Sequence, residues 1–425
     1  MRVSRRALLR LGATGAALGV LGAWAAPVLA EPDIGQAVAP FRVAIGVQAG
    51  PRAATLQAAR DQLLQIGHKS IINRATGYPV LPNAAGDYVP DDQTWVRPSD
   101  FYPDSFSRDA FWILAALQSR ALLEMARQRF HGDQLNQPDG HVATTLRVDL
   151  TQTPTRDWDD ESTLMDVLRE YEYARMGGTP DLDSLGRSYR FIQGHIQNGL
   201  YATSGDPRTG AYHYWADTFR AAFPQAITYN QGLLCVALEA IDRMGIPVGA
   251  DLKALAQNAY ATMAGPVATL AMPQRLGSGA LDASALVGDA LFIYYFGKPL
   301  LPDARVKATF DQLVSASAVY DKDAFIGFRV LSNFDGTYLN KSEFIGPDSQ
   351  AGNYQNGGSW LLYDALALYA AAGHGIAKAG DLLAQRVLSE FERSHAFHEF
   401  TRTSPYIEDI RVNYGWNAFV SKLIA

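Results

Sequence analysis

The sequence predicts an all-α fold, a toroid of inner and outer helices with an N-terminal arm, and three observations point to it. Helical periodicity recurs from Arg108 to the C-terminus, whereas strand-like alternation is scarce. The helices also differ in kind: the runs Ala283 to Phe296 and Trp360 to Ala372 are apolar nearly all round, and those after them are amphipathic. A helix without a polar face must be enclosed, and its amphipathic successor must cover it, so several such pairs make concentric rings. Finally, 425 residues at 48% hydrophobic and 19% charged can bury a core of that size. No fixed-length repeat runs along the chain, so the toroid rests on the alternation of helix type, with an α-solenoid as its rival.

Residues 31–100 read as the arm, with one helix-like run from Thr55 to Ile66 and then segments rich in Gly, Pro, Asn and Asp. Residues 101–425 read as the barrel. Arg108 to Phe130 places Phe111, Leu114, Ala115, Leu122 and Met125 on one face, with Ser107 as an N-cap and Gly132 as a stop. Further runs are expected at Ser162–Met176, Leu185–Gln197, Gln225–Arg243, Asp251–Met263, Ala283–Phe296, Ala304–Ala316, Asn356–Ala372, Ile376–Arg393 and Trp416–Ile424. In the run from Ile376, Leu383, Val387 and Phe391 form a stripe while Lys378, Asp381, Arg386, Glu390 and Glu392 keep to polar positions.

A net charge of -6 and a pI near 5.8 argue against a polyanion-binding surface, so nucleic acid is not an expected partner. Residues 1–30 open with Ser4-Arg5-Arg6-Ala7-Leu8-Leu9-Arg10 and continue as an Ala/Gly-rich apolar run in which Val28 and Ala30 supply small side chains before Glu31. This resembles a twin-arginine export signal, which implies a periplasmic or secreted protein with no stable membrane association after cleavage; an uncleaved anchor is the alternative. Cys235 is the only cysteine and sits in an apolar run, as a small core residue would.

In a toroid, polar residues just ahead of the inner helices face a common funnel, and four segments fit. Arg108-Asp109-Ala110-Phe111-Trp112 opens one helix with a guanidinium and a carboxylate that can hold adjacent sugar hydroxyls, although Asp109 is also what a helix dipole favours. Asp159-Asp160-Glu161 precedes another; carboxylates this close cannot all ionise cheaply, so one should hold its proton near neutral pH. Asn353-Tyr354-Gln355-Asn356-Gly357-Gly358-Ser359-Trp360 combines hydrogen-bonding groups, glycines that admit a ligand to the backbone, and a stacking face. His398-Glu399-Phe400 followed by Tyr414-Gly415-Trp416-Asn417-Ala418 brings a glutamate and a tryptophan to the same end. Glu343 and Asp348 are rival carboxylates in the loop before Asn353. Phosphate-loop, His-Glu-x-x-His and Gly-x-Ser-x-Gly patterns are missing, and His395 with His398 has no evident third ligand, so neither metal nor organic cofactor is expected.

In this order the segments resemble the six-hairpin (α/α)6-barrel glycosidases, the class of glucoamylases, debranching enzymes, processing α-glucosidases and trehalases. Arg108 to Trp112 is similar to their first-helix sugar-binding motif, Tyr354 to Trp360 to their Tyr-x-Asn-Gly-x-x-Trp segment, and Glu399-Phe400 with Tyr414 to Ala418 to the ending whose glutamate is the general base. The loop at Asp159 departs from the usual forms, which leaves the acid among Asp159, Asp160 and Glu161. The resemblance spans Phe101 to Ala425 and implies an inverting glycoside hydrolase with a carbohydrate substrate. Asp160 or Glu161 would be the acid and Glu399 the base, with Arg108, Asp109, Trp112, Tyr354, Asn356, Gly357, Trp360 and Trp416 binding sugar. The rivals are a polysaccharide lyase using Tyr354, His213, Asn356 and Arg411, a glycoside phosphorylase, and a glycan-binding protein without chemistry.

Overall fold

The computed structural model describes residues 51–149, 161–203, 205–206, 209–212, 214–220, 225–266, 269–404, 406–408 and 411–424. Within them lie twelve α-helices: α1 (Pro51–Lys69), α2 (Ser107–Leu117), α3 (Arg120–Gln134), α4 (Glu161–Arg175), α5 (Leu182–Gly194), α6 (Thr228–Arg243), α7 (Ala250–Ala261), α8 (Val287–Phe296), α9 (Asp303–Gln312), α10 (Leu361–Gly373), α11 (Ala377–Ser394) and α12 (Val420–Leu423). The fold is the all-α toroid. The even-numbered helices form a closed inner ring: α2 packs on α4, α4 on α6, α6 on α8, α8 on α10, α10 on α12, and the 3-10 turn Gly415–Phe419 leading into α12 packs back on α2. The odd-numbered helices lie outside them.

Burial follows the sequence pattern. All ten residues of α8 and every residue from Leu361 to Ala371 of α10 are buried, whereas α7 buries only Ala256 and Tyr260. Each fully buried Leu of the inner ring contributes about 1.5–3 kcal/mol. Where α6 crosses α8 the two backbones touch: a Cβ on Gly288 would lie 2.3 Å from the Cα of Gly232, so only glycine permits this approach.

Two expectations are corrected. The run from Arg108 to Phe130 is not one helix. Gln118 takes a left-handed conformation (φ 50°) that caps α2, and the Ser119 hydroxyl accepts from Leu122 N to start α3, turning one periodic stretch into an inner and an outer helix. The segment read as an arm also supplies a ring member, because α1 packs on α2, α11 and the Gly415–Phe419 turn as the sixth outer helix. The little sheet present is in short antiparallel pieces, such as Ile71–Asn73 with Thr94–Val96 and Leu331–Asn333 with Ala280–Asp282.

Candidate active site

At the N-terminal end of α2 a small cavity is lined by Tyr102, Phe106, Arg108, Asp109, Trp215, Asp217, Tyr354, Gln355, Trp360, Glu399, Tyr414 and Trp416. Its walls are aromatic. Trp360 stacks on Phe400 (5.4 Å between centroids, 23°), and Trp215 and Trp416 pack against Trp360 at 5.3 and 5.5 Å.

Three carboxylates reach this cavity from different elements. Glu399 follows α11. His398 before it is pinned by its backbone N–H to Glu390 (2.7 Å) and by its carbonyl to the Asn417 amide (2.7 Å). The Glu399 carboxylate pairs with Arg411 (3.0 Å), which also donates to the Tyr102 hydroxyl (2.7 Å). Asp217 lies in the loop ahead of α6, where Gln355 donates to its Oδ1 (2.8 Å) and to the Trp215 carbonyl (3.2 Å), and accepts from Thr218 N (2.9 Å). Burial raises the Asp217 carboxyl above the ordinary range, opposed by the charge of Arg108 and by these hydrogen bonds. Asp109, in the first turn of α2, is buried, with Arg108 3.8 Å from its Oδ2 and no closer hydrogen-bond partner among the described residues. Burial pushes it up to about 6, against the pull of Arg108 and the nearby Tyr414 hydroxyl.

The structure brings together Arg108, Asp109, Tyr354, Trp360, Trp416 and Glu399 as the sequence led us to expect. Others stand elsewhere. Trp112 is in the core, its ring against Phe111 and Phe419 (4.7 and 4.9 Å). Asn356 turns its amide to the carbonyls of Leu339 and Ser349 (3.1 and 3.3 Å), tying down the preceding loop. Gly357 takes φ 87°, and a Cβ there would meet the Tyr338 ring at 2.6 Å, so this glycine serves packing. Glu161 is fully buried off the cavity wall, where Arg108 donates to it (2.8 Å); burial raises its carboxyl, opposed by Arg108. Asp159 and Asp160 fall outside the described residues, as does His213. Glu343 caps a short 3-10 turn with Asn340, and neither it nor Asp348 lines the cavity.

Asp217, Tyr102, Trp215 and Gln355 were not picked out as site residues from sequence. The rule that polar residues precede inner helices does hold for Asp217 and α6, but eleven positions separate Asp217 from Thr228, too many for a rule tuned to the first turn. The aromatic pair Tyr214-Trp215 just before it was the available signal.

No protein-family model matches the chain, and no curated protein matches it in sequence. Solved structures do match in shape. A wild-type glycosidase is 14% identical, covers 88% of this chain and 96% of its own, and superposes with a TM-score of 0.53. A variant glycosidase in complex with glucose gives 0.52 at 14% identity over the same shares. A GH63 mannosylglycerate hydrolase from Thermus thermophilus, in complex with Tris and D-glycerate, gives 0.55 at 11% identity, covering 86% of this chain and 99% of its own. At such identities what is shared is the fold: the chain is built on the same helical toroid as these solved structures.

Proposed function

We propose that the protein is an exported glycoside hydrolase that cleaves the bond to a neutral terminal sugar of an oligo- or polysaccharide, with inversion. The observation that carries this reading is the pair Asp217 and Glu399, supplied by separate loops to one aromatic-walled cavity. Asp217, its proton retained by burial, donates to the glycosidic oxygen as the C–O bond breaks. Glu399 takes the proton of the water that attacks the anomeric carbon from the opposite face, and Arg411 and Tyr102 hold its carboxylate in place. The acceptors of Asp109 and the Nε1–H of Trp416, without hydrogen-bond partners among the described residues, suit sugar hydroxyls, which pair with both donors and acceptors.

Asp217 is taken as the acid because it lines the cavity among the described residues, whereas Glu161 pairs with Arg108 and does not line it, and Asp159 and Asp160 lie outside those residues. A uronate or phosphate ligand fits less well, since Asp109, Asp217 and Glu399 surround the same space and Arg411 already faces Glu399. This weighs against the lyase and phosphorylase readings. The export signal, cleaved before Glu31, would place the enzyme in the periplasm or outside the cell.

The test is incubation of the secreted protein with a panel of glycans, following the first-formed anomer by proton magnetic resonance. Inversion is the expected outcome. Release of the retained anomer would refute the two-carboxylate water mechanism, and an unsaturated product absorbing in the ultraviolet would point to a lyase.

A further inference from the structure

Outside the cavity the aromatic wall continues to one residue that the chemistry leaves unused. Phe101 is 62% exposed, and its neighbour Tyr102 lines the cavity and reaches Glu399 (3.5 Å). An isolated exposed phenylalanine needs no explanation, but this one is fixed from three sides. Its backbone N–H donates to the Ser99 hydroxyl (3.2 Å) in a turn closed by Tyr102 N to Ser99 O (3.3 Å). Its ring meets Tyr102 edge-on (4.8 Å, 78°). The Arg411 guanidinium lies 5.6 Å from its centroid while also standing over Tyr354 (5.2 Å) and Phe400 (5.0 Å). Phe101 is thus the outermost member of a ring series that begins on the cavity wall, and Val412, 45% exposed, is next to Arg411 in the chain.

Resting on the glycosidase reading, we propose that Phe101 is the platform for the leaving-group sugar: a neutral pyranose lays its C–H face on the exposed ring while the terminal sugar occupies the cavity. A sugar presents apolar C–H faces and a polar edge, so a rigid aromatic beside a pinned guanidinium can take the first and orient the second. The cavity is small and has no room for a second sugar, so selection of that sugar falls to the rim. Phe101 is therefore a specificity residue. It does not touch the reacting atoms.

The experiment compares two substrates that share the terminal sugar, a disaccharide and the methyl glycoside of that sugar, taken in both anomers from the glycan panel, in wild type, Phe101→Ala and Phe101→Trp. The kcat/KM ratio of disaccharide to methyl glycoside is expected to fall about tenfold in Phe101→Ala, the scale of one aromatic stacking contact, mostly through KM, and to be restored in Phe101→Trp. An unchanged ratio in an active enzyme overturns the platform and leaves the glycosidase reading standing. A wild type that hydrolyses no glycoside in the panel overturns both.

Discussion

Two carboxylates of the cavity, Asp109 and Asp217, are treated differently from those of the seam between α10 and α11. In the seam, Glu390 receives Arg386, the His398 backbone N–H (2.7 Å) and the His398 ring (3.3 Å), and it is pulled down to about 2 despite burial. Asp364 beside it accepts from Arg386 (2.8 Å), Ser359 (2.8 Å) and Phe328 N (3.0 Å). Burial still raises Asp364, but none of its bonding capacity is wasted. In the cavity, Asp109 stands at about 6 with no close hydrogen bond among the described residues, Arg108 lying 3.8 Å away, and Asp217 is raised while accepting from Gln355 (2.8 Å). Saturated acids hold helices together, and acids left short of partners are available to a ligand and to proton transfer.

The largest effect expected from this contrast is catalytic. Asp217→Asn and Glu399→Gln should each lower kcat by about 10²–10⁴-fold, the usual contribution of a positioned acid or base, while binding of a slow substrate survives in calorimetry. Full turnover in either variant removes that residue from the mechanism. The pH profile is a second measurement of the same claim. An acid works while protonated, so activity should be lost as pH rises through the Asp217 pKa, and the raised value places this alkaline limb above the ordinary carboxylate range. A kcat/KM already falling through about pH 4, the ordinary carboxylate value, would exclude Asp217 as the acid.

Next in size is the seam. Arg386→Met strands Glu390 and Asp364 without their cation, and breaking such a buried pair costs about 3–5 kcal/mol, to be read from urea unfolding near neutral pH. The depressed carboxyl of Glu390 contributes stability that is present above its ordinary 4.5 and is lost as pH falls towards about 2. Wild type should therefore weaken over that interval, and the variant should weaken less. Because His398 is tied to Glu390 and adjoins Glu399, the variant is also expected to lose activity before it unfolds.

The toroid was legible because an apolar-all-round helix followed by an amphipathic one encodes enclosure, whatever the loops do. Of the candidate residues that line the cavity, Arg108 and Asp109 lie in the first turn of α2 and Trp416 in the short turn before α12, where chain position fixes direction. Trp112 shows the limit: three residues beyond Asp109, one helical turn below, it points into Phe111 and Phe419 rather than into the cavity. The α2–α3 break was hidden because Gln118 can take the left-handed conformation as a glycine would, without being one. Asp217 was hidden because its place depends on Gln355, distant in sequence, and long-range pairing leaves no local periodicity.

The smallest effect tests the meaning of the contrast most directly. Asp109→Asn keeps the size of the side chain and removes a charge that the fold tolerates poorly. A buried carboxyl raised from 3.8 to about 6 favours folding below 3.8, where both states are protonated, and that advantage is lost as pH rises through about 6 because the native state must then ionise it. The variant does not ionise there, so it should be more stable than wild type by up to about 2–3 kcal/mol at about pH 8, a difference that shrinks towards about pH 4, measured by urea unfolding at the two pH values. Activity should move the other way, through a higher KM, since an amide returns only one acceptor where the carboxylate offered two. A variant whose stability relative to wild type is the same at both pH values would mean that Asp109 is satisfied in the free protein, and the cavity would then differ from the seam in position alone.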